Sequence, residues 1–456
     1  MSLSPNRLAA GRRSRRRLLG AALAAGAPLA LAACGATGQG TTPEASQSRA
    51  PVALEHVDWW GPTTPVLTTF FDGIKKDFEA KSPNVTVNYT FVQGGTTGVR
   101  EKWVVNAAGG TPHDSSQVSV AFIRELMDGN LMEPLDPYIQ KAPSMALSNF
   151  VDSGLFYNTF QGKHYGLPFD GPSMNVIAYN TDHFRDAGLD PSQKFTWSWT
   201  VDQFLDAARR LTKTEGQRVL RGGFATRPGT PLSLSVANLL PWLYGFGGEF
   251  YSPDYAKTLV NDQKGRGALQ LLYDLRNRHK VSPDIDGATF EGETVSMAFA
   301  GSWEVGYLLD KNPALKFGFA PMPAGPQATK GPSTQTWTNQ WTMTRSGKHK
   351  DAAWDWISFV NSSPVQEQYF ATVMKRFSGR KSVYTSQAWK NVVKDWPALE
   401  GIEKMEPLSK QYPWVKTTPI NEQTADIWKK AQANEIGVNE ALSQVEQIVN
   451  RVLAGG

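Results

Sequence analysis

Indole rings standing within a few residues of amides and carboxylates recur along this chain, and that pairing suits one kind of chemistry. A polyhydroxylated ring has an apolar C–H face and a polar rim. An aromatic side chain covers the face by burial and through its negative π cloud. Asp, Glu, Asn, Gln and Arg bond to the rim, the charged ones more strongly. Trp59 and Trp60 precede Gly61-Pro62, and Phe169 and Asp170 follow Leu167-Pro168. Trp242, Tyr244 and Glu249 surround a glycine-rich stretch, Gly245-Phe246-Gly247-Gly248, that lacks the Lys-Ser/Thr of a phosphate loop. Trp303 closes Gly301-Ser302-Trp303, and Trp337, Asn339 and Trp341 stand in a segment rich in tryptophan and amide. Fifteen tryptophans in 456 residues is a high count, so some rings are expected on a recognition surface. Trp354, Trp356, Trp197, Trp199, Trp103, Trp389, Trp396 and Trp428 read instead as packing or anchoring rings, and Trp414 is a lesser loop candidate.

Bond-making chemistry finds little support. The six histidines, at 56, 113, 164, 183, 279 and 349, have no HExxH arrangement and no zinc-ligand spacing. There is no G-x-S-x-G elbow. Glu291 and Glu293 could form a glycosidase pair, but an acidic first helical turn explains them equally well. Asp284-Ile285-Asp286-Gly287 lacks the later glutamate of a calcium loop and reads as a turn. No catalytic residue, metal or cofactor is expected.

The elements that must position the rings follow from periodicity. His56–Trp60 reads as a strand ending at Gly61-Pro62. Leu67, Phe70, Phe71, Ile74 and Phe78 recur at helical spacing until Ser82-Pro83. Val85, Val87, Tyr89 and Phe91 alternate as in a strand, and a helix over 98–108 closes at Gly109-Gly110-Thr111-Pro112. This is a βαβ rhythm. It returns with a strand at 174–179, a helix at 201–211 with Thr200 as N-cap, and helices at 267–280, 352–359 and 438–453. The fold class expected is α/β, in two lobes, each a mostly parallel sheet with helices on both faces. Ligands of such sheets sit beyond the carboxyl ends of the strands. Since strand residues alternate sides, one of Trp59 and Trp60 is expected to face the core and the other the ligand.

The only cysteine, Cys34, stands where a leader would end. Residues 1–33 hold six arginines and no acid, followed by an Ala/Leu-rich stretch, the order of an export signal. Without them, 41 basic groups face 42 acidic ones, so the basic pI belongs to the leader and no nucleic-acid partner is expected. Residues 34–51 are small and polar and read as a flexible tether. Arg15-Arg16 beside Ser14 resembles a twin-arginine signal, and Leu31-Ala32-Ala33-Cys34 resembles the lipobox of bacterial lipoproteins. That resemblance implies a lipid-anchored protein outside the cytoplasmic membrane of a bacterium.

Five further phrases, in order, carry a family resemblance: Tyr165-Gly166-Leu167-Pro168; Tyr179-Asn180-Thr181-Asp182 through Ala187-Gly188-Leu189; Thr196-Trp197 through Leu211-Thr212; Gly292–Trp303; and Lys350-Asp351-Ala352-Ala353-Trp354. The chain resembles the extracellular solute-binding proteins of ABC importers, in the sugar-binding class that includes the maltose-binding proteins. The resemblance implies a periplasmic-binding-protein-like clamshell, monomeric, that closes about a hinge on a mono- or oligosaccharide and delivers it to ABC permease transmembrane subunits. It implies lobes of 52–168 plus 318–360 and of 169–317 plus 361–456, hinged near Pro168–Ser173 and Phe317–Pro323. It gives Trp303 as a stacking ring. Where relatives have Pro-Asp before the third strand, this chain has Pro112-His113-Asp114-Ser115-Ser116, making Asp114 a further candidate. The alternative solute is a glycerophosphodiester or other polar molecule, for which Arg227, Lys375, Arg376 and Arg380 are candidate cations.

Overall fold

A computed structural model describes residues 50–226, 234–282 and 288–455. The leader, Cys34, most of the tether, Arg227 and residues 284–287 lie outside the described residues. The framing strands are β1 (Val52–Asp58), β2 (Val85–Phe91), β3 (Ser115–Val118), β4 (Leu167–Pro168), β5 (Ser173–Asn180), β6 (Met297–Gly301), β7 (Phe317–Ala320), β8 (Thr334–Trp337), β9 (Gln340–Met343) and β10 (Ser409–Lys410). The helices used below are α1 (Pro65–Lys81), α2 (Gly95–Gly109), α3 (Val120–Asp128), α4 (Val201–Leu211), α5 (Val236–Gly245), α6 (Gln263–Asn277), α7 (Lys350–Val360) and α8 (Val438–Leu453).

Local sequence sets these elements where the apolar spacing put them. Thr64 caps α1, its hydroxyl accepting from Leu67 N, and Phe70, Phe71, Ile74 and Phe78 form the buried face. Each such ring or branched side chain contributes about 1.5–3 kcal/mol on burial. Helix α4 opens on a reciprocal capping box between Thr200 and Gln203, a feature that stabilises a helix by about 1 kcal/mol.

The first sheet has the order β2-β1-β3-β9-β4. Strands β1, β2 and β3 are parallel, and β9 runs antiparallel to both β3 and β4. Leu54 of β1 packs with the α1 and α7 side chains on one face, whereas Val57 packs with Trp103 of α2 and Phe122 of α3 on the other. The second sheet is built on β5, which pairs antiparallel with β6, β7 and β8. This departs from the mostly parallel sheet expected there. Alternation records which face of a strand is buried, not which way its neighbour runs. Helices α4, α5, α6 and α8 pack into a large apolar cluster with Ile177 and Tyr179 of β5.

The chain passes between the sheets at three places. The first is 169–172, between β4 and β5. The second is Thr338-Asn339, because β7 and β8 both pair with β5 while β9 pairs with β3. The passage therefore falls later than the Phe317–Pro323 hinge expected, and 318–337 packs with the second sheet. The third follows Met374, since Val365, Tyr369, Phe370 and Met374 belong to the first sheet's core and Phe377 to the second's. Gly171 sits in the first passage at φ +103, where a Cβ would lie 2.6 Å from Thr338 Cγ2.

Candidate functional site

The carboxyl ends of β1 and β3 open onto a cavity of about 450 Å3 whose other side is formed by β5, β6 and β8. Trp59, Trp60, Ser119 and Thr96 come from the first sheet and its helices; Ser173, Asn175, Trp303, Gln335 and Trp337 come from the second. Asn238, Phe299, Glu304, Asn339, Arg376 and Trp414 add to the polar and aromatic lining.

Each ring is held by its surroundings. The Asp58 carboxylate accepts from Trp60 N at 2.7 Å and turns the chain as β1 ends. That carboxyl is fully buried, and burial pushes it above the usual range, with His56 pulling it back. Trp60 leans on Phe70, Phe169 and Phe370, at centroid distances of 6.5, 5.5 and 6.4 Å. Trp59 meets Trp60 edge to face at 6.5 Å and packs against the opposite core. Both indoles are half-buried and both line the cavity, so the expected split between core and ligand does not hold. Strand alternation had ended one residue earlier, at Asp58.

Trp303 follows β6 in a short turn and lies 5.1 Å from Trp337, tilted by 59°. A Cβ at Gly301 would stand 2.2 Å from Trp303 Cε2, so the glycine is what lets the indole lie back against the strand end. In the same lining, Asn175 Nδ2 donates to Gln335 Oε1 at 3.1 Å. Gln335 Nε2 is buried and has no hydrogen-bond partner among the described residues.

Asp170 lies beneath this lining, 1 % exposed. Its oxygens accept from Asn339 N at 2.8 Å and Asn339 Nδ2 at 3.0 Å, and Arg376 Nη2 lies 3.8 Å away. Burial pushes this carboxyl up, opposed by the Arg376 charge and the Asn339 donors. Burial likewise lowers the Arg376 guanidinium, opposed by Asp170.

Of the sequence candidates, the cavity gathers Trp59, Trp60, Trp303, Trp337 and Asn339, and with them the lesser candidate Trp414. Others lie elsewhere. Phe169 and Trp341 are fully buried in the first core, 4.7 Å apart, because β4 and β9 turn them inward. Trp242 packs between Phe204 and Phe224, on the buried side of α5. Tyr244 is buried beside it, and Glu249 is exposed and pairs with Lys410 at 2.5 Å. Asp114 precedes β3, at the end of the sheet away from the cavity. There it accepts from Glu55 N, Lys348 N and His349 N and ties down the start of α7. Among the candidate cations, Arg380 donates to the carbonyls of Asn361 and Ser144, and Lys375 lies over the Trp396 ring. Only Arg376 reaches the cavity among those described. Asn175 and Gln335 were not singled out, although polar residues inside strands (Asn175 in SMNVIAYN, Gln335 in TQTW) were the available signal.

Among the described residues no cluster of His, Cys, Asp or Glu could hold a metal, and no helix is long and apolar enough to cross a membrane. A family model described as bacterial extracellular solute-binding protein matches residues 61–367. An uncharacterised ABC transporter extracellular-binding protein of Pyrococcus horikoshii is 25% identical over 378 residues, covering 78% of this chain and 79% of its own length. Among solved structures, the ABC substrate-binding protein of Listeria monocytogenes in complex with cycloalternan superposes with TM-score 0.74 at 19% identity, over 89% of this chain and 99% of its own. The cyclic alpha-maltosyl-1,6-maltose binding protein of Arthrobacter globiformis gives 0.72 at 23% identity, over 89% and 100%.

Proposed function

Because the chain belongs to the bacterial extracellular solute-binding protein family of ABC transporters, a family of binding proteins rather than enzymes, we propose that it captures a saccharide between its two sheets and hands it unaltered to a permease. The observation that carries this reading is the pairing of indoles from both sides of one cavity. Trp59 and Trp60 come from one side, Trp303 and Trp337 from the other, and Asn175, Gln335 and Asn339 line the same cavity. Flat rings match the sugar faces and amides match the hydroxyl rim. The volume, about 450 Å3, lies within the range of small-molecule sites and suits more than a single small solute. The solved relatives named above carry or are named for oligosaccharides, which supports the same class of ligand.

In this reading the passages at 169–172, 338–339 and 375–380 are the hinge. Sugar bound to one side recruits the other, and contacts made only in the closed form shift the population toward it. A lipid on Cys34 anchors the monomer at the cell surface beside the permease, so that Cys34→Ser should release the protein from membranes into the medium. The test of ligand class is a melting-temperature screen of residues 35–456 against neutral mono- and oligosaccharides, with a glycerophosphodiester in the same plate. A ligand held at 100 times its Kd stabilises the native state by about 2.7 kcal/mol and raises Tm. A shift with saccharides alone supports the proposal; a shift with the phosphodiester alone, or with nothing in the plate, refutes it.

A further inference from the structure

Arg376 brings to the cavity a cation that the packing of indoles and amides does not by itself require. Its Cζ lies 4.2 Å from the centroid of the Trp60 ring, which orients the guanidinium plane. Among the described residues its one carboxylate partner within 4 Å is Asp170, 3.8 Å away, beyond hydrogen-bond length, and both Asp170 oxygens are taken by Asn339. Among the described residues nothing accepts a hydrogen bond from the guanidinium. Arg376 thus lines the chamber with N–H donors of a rigid fork still available to whatever fills it. The Asp170 carboxylate already supplies the countercharge, so the occupant need bring only acceptor oxygens. Glu304 is the other ionisable side chain in the lining among the described residues. An anionic occupant would therefore set a second carboxylate against Asp170 across a single guanidinium, in a chamber where like charges repel strongly.

We propose that Arg376 contacts the ligand, its fork bonding two neighbouring hydroxyl oxygens of a neutral saccharide, and that Asp170 positions it and sets the preference for neutral over acidic sugars. This rests on the sugar-binding reading. Asp170 lies in one passage between the sheets, Asn339 in the second and Arg376 in the third, so the contact sits where the three passages meet.

The experiment is calorimetric titration of the mature protein with the neutral saccharide that gives the largest melting shift, and with the same saccharide oxidised at C6 to a uronate. The native protein should bind the neutral form roughly tenfold or more tightly than the uronate, and Arg376→Lys should weaken the neutral sugar by roughly tenfold, since lysine keeps the charge but neither stacks flat nor forks. In Asp170→Asn the neutral-to-uronate ratio should narrow or reverse, whereas a merely structural loss weakens both sugars alike. Equal or tighter binding of the uronate by the native protein, or unchanged affinity in Arg376→Lys, overturns the proposal. If Asp170→Asn does not fold, those two measurements still decide. Failure of every saccharide to bind the native protein refutes the sugar reading instead, so the two failures are distinguishable.

Discussion

Replacing Gly301 by alanine tests the site without removing any of its rings. A Cβ there would stand 2.2 Å from Trp303 Cε2 and Cζ2, whereas ordinary contact begins at 3.4 Å. The indole must therefore retreat by about 1 Å or more, since carbon atoms settle near 3.5–4.0 Å apart. A gap of 0.5–1 Å forfeits roughly a quarter to a half of each dispersion contact between ring and ligand. A buried aromatic anchor is typically worth about 2 kcal/mol or more to binding, so the displaced ring should cost about 1 kcal/mol, roughly a fivefold loss of affinity. Strand β6 keeps its pairing with β5, and the ring faces a chamber that can take it, so the overpacking cost should stay at the low end of about 1–3 kcal/mol. Titration calorimetry with the best saccharide reads the affinity, and a thermal melt without ligand reads the fold. Affinity within twofold of the native protein would mean that Trp303 does not stack on the ligand where it stands. A collapse of the melt that accounts for all lost binding would refute the argument that the effect is local.

Two other substitutions separate packing from binding. Trp341→Leu should lower stability by roughly 2–4 kcal/mol by leaving a cavity among His56, Phe169 and Trp356, while the remaining folded protein binds with native affinity; a denaturant titration beside calorimetry checks both. His113 is buried against Trp103 and bonded to Asn106, and burial pushes its imidazole down to about 3. The unfolded chain takes that proton near the ordinary 6.5, so stability is lost as pH falls from 6.5 toward 3. Between pH 7 and 5 the loss from this group is about 2 kcal/mol. Unfolding of His113→Asn should lack that component, and an unchanged pH dependence would count against it.

Helices were legible because they carry their own boundaries. Thr200 caps at the expected place, and the 201–211 and 438–453 spans appear with the bounds their periodicity gave. Strand direction was not legible: β9 at 340–343 sits between β3 and β4, and nothing in Gln340–Met343 names either neighbour. For the same reason the passage at 338–339 was assigned some twenty residues too early. Rings beside glycine turns at strand ends, such as Trp60 and Trp303, line the cavity. Rings inside strands or helices misled, because Trp341 and Trp242 carry the same local signature and only tertiary packing turns them inward. Asp170 was singled out by its place after Leu167-Pro168, but its partners Asn339 and Arg376 are some two hundred residues away in sequence, and that pairing exists only once the sheets have formed.

The placement of β9 governs the order in which this molecule can be assembled. Its neighbours β3 and β4 are synthesised more than a hundred and fifty residues earlier, and until residue 343 has left the ribosome they have no strand to join them. The N-terminal region emerges with an unfinished sheet, the edges of β3 and β4 that β9 will pair still open, so completion of that sheet must wait for residues 340–343. Closing so long a loop costs little more entropy than a short one, but it delays the reward.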